Sequence, residues 1–156
     1  MWYTHSVRSM ISLRGVTKQY TKESVAVNNI HLRIEAGEFL SVVGQSGSGK
    51  TTIVKLLIAE ERPTDGTIEI GGWDITDISR RDIPLLRRQI GVIFQDFKLL
   101  NKKTVFENVS FALQVAGEKH KRIHEIVPRV LDIVGLGHKM ERYPHQLSGG
   151  EQQRVV

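Results

Sequence analysis

The sequence predicts an α/β fold in which strands come first, a single strand–loop–helix unit follows, and helices fill the last third. Three observations favour this class. Apolar and polar residues alternate in residues 11–20 and 28–34, an almost continuous apolar run at 38–44 ends in glycine before a helix-like segment, and the spacing becomes helical after Thr104. Strands followed by helices in this order are typical of a sheet with helices packed against it.

The composition limits the possible classes of protein. With 156 residues, 40% of them hydrophobic, the chain is long enough for one globular core. It has no apolar run near the ~18 residues of a membrane-spanning helix, and we expect a cytosolic protein. The lack of cysteine excludes disulfides and thiolate metal sites. A net charge of +5 is compatible with nucleic acid, an anionic membrane or a phosphate-rich ligand. Because the basic residues are dispersed, no nucleic-acid partner is expected.

The first half of the chain is predicted to contain four strands and one helix. Alternating residues predict two half-buried antiparallel strands, the second interrupted by Ala36-Gly37. EFLSVVG (38–44) suits a central strand covered on both faces. The segment 51–59 is so densely apolar that its helix is expected to be largely buried. The turn at 63–66 then leads into the short strand TIEI.

The second half is predicted to be mainly helical. IGVIF (90–94) resembles another apolar strand, and two segments ending in glycine, VFENVSFALQVAG and HEIVPRVLDIVGLG, have the pattern of helices. We assign residues 104–147 to a helical subdomain within one domain at 10–156. Residues 1–9 differ in character, and we expect them to be an N-terminal extension.

GQSGSGKT (44–51) has the spacing of a phosphate-binding P-loop, where a buried strand meets a helix. Small residues allow successive backbone amides to point into one concavity, and the helix start adds its positive dipole end. The Lys50 ammonium can contact the β- and γ-phosphates, and the Thr51 hydroxyl can bind Mg²⁺. The sequence therefore predicts a nucleotide cradle, with these residues: Gly44, Ser46, Gly47, Ser48, Gly49, Lys50, Thr51 and Thr52.

A P-loop alone fits GTPases, kinases and ATPases. The string nearest to a guanine-binding Asn-Lys-x-Asp element, at 101–104, lacks the aspartate, which disfavours guanine. LSGGEQQ (147–153) resembles the signature motif of ATP-binding-cassette (ABC) ATPases, and Gln95 follows an apolar strand as in that family. With the P-loop upstream, these motifs identify the chain as similar to ABC ATPases over about residues 10–156.

Longer segments resemble the cell-division, FtsE-type branch of the family. They are EERPTDGTIEI, IPLLRRQIGVIFQDFKLL, TVFENV and YPHQLSGGEQQRV. Lipoprotein-release and macrolide-export ATPases are the alternative, with a poorer match in the second segment. The resemblance implies a P-loop NTPase (RecA-like) core with an antiparallel β subdomain and an α-helical subdomain. It also implies ATP and Mg²⁺ as cofactors.

The resemblance further implies roles for individual residues. Tyr20 matches the aromatic residue that stacks on adenine. Gln95 matches the glutamine that contacts Mg²⁺ or the attacking water. The catalytic candidates are therefore Lys50 and Gln95, and the candidate metal ligands are Thr51 and Gln95. Ser148, Gly149 and Gly150 match the signature that contacts ATP bound to a second subunit. They also form an ordinary helix N-cap, which would be the better explanation without the other motifs.

The resemblance implies partners as well. They are a second copy, in a head-to-tail homodimer, and an integral membrane protein resembling FtsX at the cytoplasmic face of the division site. Apolar residues after Gln95, namely Phe97, Leu99 and Leu100, either receive that membrane protein or pack in the core. His120 and His124 are spaced four residues apart, but in a charged, solvated run where metal binding is not expected.

The family pattern continues beyond a signature helix into the Walker B aspartate and a catalytic glutamate. Residues 1–156 contain neither, and we therefore expect the sequence to be part of a longer ATPase. By itself it is expected to hydrolyse ATP poorly or not at all. A binding module or scaffold without turnover is the competing hypothesis, and nucleic-acid binding is a third.

Overall fold

The computed structural model describes residues 9–156, so most of the predicted extension at 1–9 lies outside the described residues. Two compact units follow each other along the chain, one up to Ile90 and one from Gly91. We call them the P-loop unit and the helical unit. The α/β P-loop NTPase class predicted from the sequence is confirmed by the structural relatives described below.

The P-loop unit contains an antiparallel sheet of four strands in the order β2-β1-β3-β4. The strands are β1 (Ile11–Thr21), β2 (Ser24–Ile34), β3 (Asp65–Ile70) and β4 (Trp73–Asp74), with helices α1 (Lys50–Leu57) and α2 (Ile83–Arg88). The two antiparallel strands predicted from the alternating pattern are present as β1 and β2. Ile11 pairs with Ile34 on one side and with Ile70 on the other. The buried core of this unit consists of Leu13, Val16, Leu56, Ile68, Ile75, Ile78 and Leu86.

Two predicted strands are absent from the described residues. EFLSVVG and IGVIF have no strand assignment, and Phe39, Val43 and Ile93 are 92%, 85% and 72% exposed. The predictions of a covered central strand at 38–44 and of a second apolar strand at 90–94 were therefore wrong. An apolar strand becomes central only when neighbouring strands pair with both of its edges, and the pairings of the described sheet are confined to β1–β4.

Helix α1 is less buried than its sequence predicted. Thr52 and Leu56 are its buried residues, and Val54 is 44% exposed. The reason is the same as for EFLSVVG, because a helix is buried on all sides only when elements pack around it. Within the P-loop unit α1 covers the β1–β3 core on one side, through Leu56.

The helical unit consists of α3 (Val105–Val115), α4 (His120–Ile133), two short 3₁₀ helices (Gly137–Lys139 and Pro144–Gln146) and α5 (Gly149–Val155). The two helices predicted from the glycine-terminated segments are confirmed, and α4 starts four residues earlier than the predicted segment. This unit has its own core, made of Val105, Ile123, Val127, Leu131, Leu136, Leu147 and Val155. None of the helices within residues 9–156 combines the length and apolar character of a bilayer-spanning segment.

Candidate nucleotide-binding site

The P-loop bends into α1 at a glycine that no other residue can replace without strain. Gly49 caps the helix with φ 89°, a left-handed conformation. A Cβ atom on Gly49 would lie 2.2 Å from the carbonyl oxygen of Ala26 in β2. Gly47 also has a positive φ, of 81°, but a Cβ there would meet open space. The loop therefore packs tightly on β2 at Gly49 and is open at Gly47.

The Lys50 side chain folds back over the loop that precedes it. Its ammonium donates to the carbonyl oxygens of Gly44 (2.8 Å) and Gln45 (2.6 Å) and lies 3.3 Å from the hydroxyl oxygen of Ser48. These acceptors hold a full positive charge at the entrance to α1. Because the loop is exposed from Gly44 to Ser48, the ammonium can exchange these neutral partners for anionic oxygens.

The start of α1 has no cap from its own side chains. No side-chain cap hydrogen bond is formed there, and the first turn contains no acidic residue. The first amides of a helix have no partner within the helix, and the helix dipole makes its start positive. Helix α3, in contrast, begins with a complete capping box formed by Thr104 and Glu107. The entrance to α1 is thus equipped for an external anion, which fits the phosphates of a nucleotide.

The remaining P-loop candidates differ in their exposure. Ser46, Ser48 and Thr51 are exposed, so their hydroxyl groups are available to a ligand or to a Mg²⁺ ion bound with it. Thr52 is only 9% exposed. Its contribution to a ligand would be its backbone amide in the first turn of α1.

Tyr20 lies at the end of β1 in the same unit, with its side chain 47% exposed. The Lys18 ammonium is 5.1 Å from the centre of its ring, in a cation–π arrangement, and also pairs with Glu61 at 2.8 Å. Lys18 therefore covers one part of the ring and restrains it. The exposed part remains available for stacking on a flat ligand.

Gln95 lies in the helical unit, on an exposed segment outside regular structure. The two positions that follow Asp96 are both left-handed, with φ 55° at Phe97 and 50° at Lys98. Non-glycine residues in this region carry strain of about 1–3 kcal/mol each, and they concentrate at functional sites and switch segments. This strain could not be predicted from the sequence, because neither phenylalanine nor lysine favours a positive φ.

The signature residues form the start of α5. Ser148 is its N-cap, and Ser148, Gly149 and Gly150 are all exposed. The Ser148 amide donates to Glu151 Oε2 at 2.9 Å, and the other carboxylate oxygen pairs with Lys139 Nζ at 2.5 Å. The hydrogen bond from Lys139 is the largest cause that lowers the pKa of Glu151, and the hydrogen bond from the Ser148 backbone is the next. Together they lower this pKa to about 2.

Lys139 and Glu151 were not among the residues singled out from the sequence. The spacing Ser-x-x-Glu at 148–151 is a recognisable capping-box signal, so Glu151 could have been found. Lys139 could not, since its pairing depends on the fold of the helical unit. The effect is that the carboxylate fixes the start of α5 while its charge is compensated.

Comparison with known proteins gives a consistent result. The profile of the ABC transporter family matches residues 27–156. The cell division ATP-binding protein FtsE of Bacillus subtilis is 53% identical over 146 residues, which are 94% of this chain and 64% of that protein. FtsE of Streptococcus pneumoniae is 44% identical over 148 residues, again covering 64% of its length. The chain thus spans slightly less than two thirds of these relatives.

ATP-binding proteins of import systems are also similar to this chain. The methionine import ATP-binding protein MetN of Myxococcus xanthus is 46% identical over 149 residues, or 45% of its length. Among solved structures, the ATP-binding cassette MJ0796, in a dimeric post-hydrolysis state bound to ADP and Pi, superposes with a TM-score of 0.84 at 34% identity. The match covers 94% of this chain and 66% of that one.

Proposed function

The chain belongs to the ABC transporter family of ATP-binding proteins, and on this premise we propose that it binds Mg-ATP as the nucleotide-binding part of an FtsE-like ATPase. The observation that carries the proposal is the entrance to α1, which combines an uncapped helix start with the Lys50 ammonium folded over the loop. The similarity to FtsE from two bacteria supports a role in cell division.

Different groups of the P-loop are proposed to bind different parts of the triphosphate. The amides of the loop and of the first turn of α1 bind phosphate oxygens, and Lys50 turns from the loop carbonyls towards the β- and γ-phosphates. The Thr51 hydroxyl is a proposed ligand of Mg²⁺, an ion that would supply positive charge against the phosphates. The Gln95 amide oxygen is proposed separately as a group able to bind Mg²⁺. Tyr20 stacks on the adenine ring. Gln95, two residues before the strained pair Phe97 and Lys98, is the group proposed to respond to loss of the terminal phosphate.

Nucleotide binding is tested with a fluorescent ATP analogue titrated in the presence of Mg²⁺. Lys50→Ala is expected to weaken binding at least about tenfold, because hydrogen bonds to charged groups contribute about 1.5–3 kcal/mol. Lys102→Ala, which removes an exposed lysine of the helical unit, is the matched control and should bind as the unaltered chain does. Equal affinity of all three chains would overturn the proposal.

The signature residues are proposed to act on the nucleotide of a second copy. Support comes from the exposed, capped start of α5 and from the dimeric state of the relative MJ0796. Ser148→Arg should then abolish dimerisation by Mg-ATP, measured by light scattering, while nucleotide binding to the monomer persists. Gln153→Arg, on the same helix, is the charge-matched control. If Ser148→Arg dimerises normally, the head-to-tail arrangement is wrong.

The proposed membrane partner is an integral membrane protein resembling FtsX, which would place the chain at the cytoplasmic face of the membrane. Similarity to MetN makes an import-type membrane component the competing partner. Co-expression with each type of membrane component, followed by purification through the tag of that component, separates the two. Retention with the import-type component alone would exclude the division role.

A second candidate function is nucleotide binding without turnover. The segment leading into the P-loop, 38–44, has no ladder partner among the described residues and is strongly exposed. Catalysis needs reacting groups held within a fraction of an ångström, whereas binding tolerates a looser frame. Steady ATP hydrolysis by the purified chain that Lys50→Ala abolishes would reject this candidate, and saturable binding without phosphate release would support it.

A further inference from the structure

Two histidines of the helical unit converge at the start of α4. His120 and His124 are one turn apart, and their Nε2 atoms are 3.2 Å from each other. The ring centres are 4.4 Å apart, with the planes at 45°. The Phe106 ring of α3 lies 5.0 Å from the His124 ring and packs on it at a tilt. The charged run that looked like a solvated helix face therefore brings two imidazole nitrogens to one point.

The separation of these nitrogens suits a shared metal ion. A zinc–imidazole bond is about 2.0–2.1 Å long. Two nitrogens 3.2 Å apart can both be at that distance from one ion when the angle at the metal is about 100°, between octahedral and tetrahedral values. A direct N–H···N hydrogen bond between the rings is the other arrangement compatible with this distance.

A second observation points to a ligand at the same place. Both histidines line a cavity of about 260 Å³ between α3 and α4, and Ser110 forms part of its wall. Ser110 is only 3% exposed, and its hydroxyl group has no hydrogen-bond partner among the described residues. Buried hydroxyl groups without partners are rare because desolvation is costly. A water molecule of a hydrated ion would become that partner once the Ser110 side chain turned its hydroxyl towards the cavity.

The other groups around the cavity determine which ion it would accept. Glu107 is already engaged, with Lys103 at 2.8 Å and the Thr104 amide at 2.8 Å. Within residues 9–156 no third histidine, cysteine or carboxylate completes a three-ligand group. Two imidazoles without carboxylates favour Cu²⁺, Ni²⁺ or Zn²⁺ and disfavour Mg²⁺ and Ca²⁺.

We propose that His120 and His124 form a two-nitrogen site for a divalent transition-metal ion, with water filling its remaining coordination positions. The site is independent of the proposed nucleotide site and lies entirely within the helical unit. Because both ligands come from α4, a bound ion links its first and second turns. Affinity follows Ni²⁺ < Cu²⁺ > Zn²⁺, as the donor set dictates.

The test is a calorimetric titration of the whole chain with Zn²⁺ and with Cu²⁺. One equivalent is expected to bind, and His120→Gln and His124→Gln should each weaken binding at least tenfold. His138→Gln, which alters an exposed histidine of the first 3₁₀ helix, is the matched control and should leave the affinity unchanged. Circular dichroism shows whether each variant retains its helices.

Paramagnetic resonance of the Cu²⁺ complex provides a readout that needs no variant. Hyperfine coupling to two equivalent imidazole nitrogens is the expected signature. Several outcomes would overturn the site: no saturable binding up to about 1 mM free metal, binding that persists in both substituted chains, equal loss in His138→Gln, or a spectrum without nitrogen coupling. Each of these outcomes would leave a direct hydrogen bond between the His120 and His124 rings as the explanation of their 3.2 Å separation.

Discussion

Lys139 and Glu151 are joined by an ion pair of 2.5 Å between Nζ and Oε1, which ties the first 3₁₀ helix to the first turn of α5. The second oxygen of the same carboxylate accepts the amide of Ser148. The Glu151 side chain thus fixes the start of the signature helix and anchors it to the first 3₁₀ helix. The geometry of the exposed Ser148–Gly150 segment depends on this carboxylate being ionised.

The ion pair predicts an acid-sensitive signature helix. The pKa of Glu151 falls from 4.5 to about 2 in the folded chain. A depressed pKa means that the folded state favours the ionised form, so the contribution to stability is present above pH 4.5 and is lost as the pH falls towards 2. We expect the free energy of unfolding of the unaltered chain to fall more steeply than that of Glu151→Gln between these pH values.

Comparing the two chains isolates Glu151 from the other acidic groups. The pKa values of Asp74, Asp96 and Glu107 are also lowered, and their titration is common to both proteins. Urea unfolding at pH 6 and at pH 3 measures the difference. A stability gap between the chains that stays constant with pH would contradict the prediction.

The capping box of α3 gives a second prediction. The Thr104 hydroxyl accepts the amide of Glu107 at 3.2 Å, and the Glu107 carboxylate accepts the amide of Thr104 at 2.8 Å. Thr104→Ala removes the hydroxyl and should lower the free energy of unfolding by about 0.5–2 kcal/mol. Thr104→Ser retains the hydroxyl and should cost much less. Urea titrations of the two variants test this, and equal losses would show that the methyl group, not the cap, is important.

The sequence predicted the parts of this protein that depend on local chemistry. Glycine spacing located the bend into α1, alternation located β1 and β2, and the change to a helical pattern after Thr104 located α3. Each of these features is determined within a few residues, by backbone conformation or by a capping contact.

The features that the sequence did not predict depend on distant partners. EFLSVVG has the composition of a central strand, but pairing and burial require neighbours at both edges, and Phe39 remains exposed. The contact between the Phe106 ring of α3 and the His124 ring of α4 joins two helices, so the spacing of the histidines alone does not show it. Likewise, Lys139 in the first 3₁₀ helix and Glu151 in α5 are 12 residues apart, so their pairing depends on the fold of the chain between them.

Helix α4 provides a third prediction, on the core of the helical unit. Leu131 is 1% exposed and belongs to the core, whereas Ile133, two residues later, is 84% exposed. Leu131→Ala should cost about 2–5 kcal/mol, because it removes buried apolar atoms and leaves a cavity. Ile133→Ala should change stability by no more than about 0.5 kcal/mol. Thermal unfolding followed by circular dichroism measures both changes in stability. Similar losses would show that α4 does not bury Leu131 and expose Ile133 as described.

Two of the three glycines of the P-loop, Gly47 and Gly49, provide the most direct test of the nucleotide cradle. Both have a left-handed backbone, with φ 81° at Gly47 and 89° at Gly49, so alanine at either position carries about 1–3 kcal/mol of strain. Only at Gly49 would the new Cβ also approach a backbone atom, the Ala26 oxygen, at 2.2 Å. Because that oxygen belongs to β2 and cannot rotate away, α1 must shift.

Gly49→Ala is therefore expected to be the more destabilising change and to reduce nucleotide binding far more than Gly47→Ala does. Urea unfolding gives the stabilities, and titration with a fluorescent ATP analogue gives the affinities. Gly47→Ala controls for backbone strain, since it shares the conformation but not the close approach. If both variants lose the same stability and affinity, the contact between the P-loop and β2 is not what positions the entrance to α1.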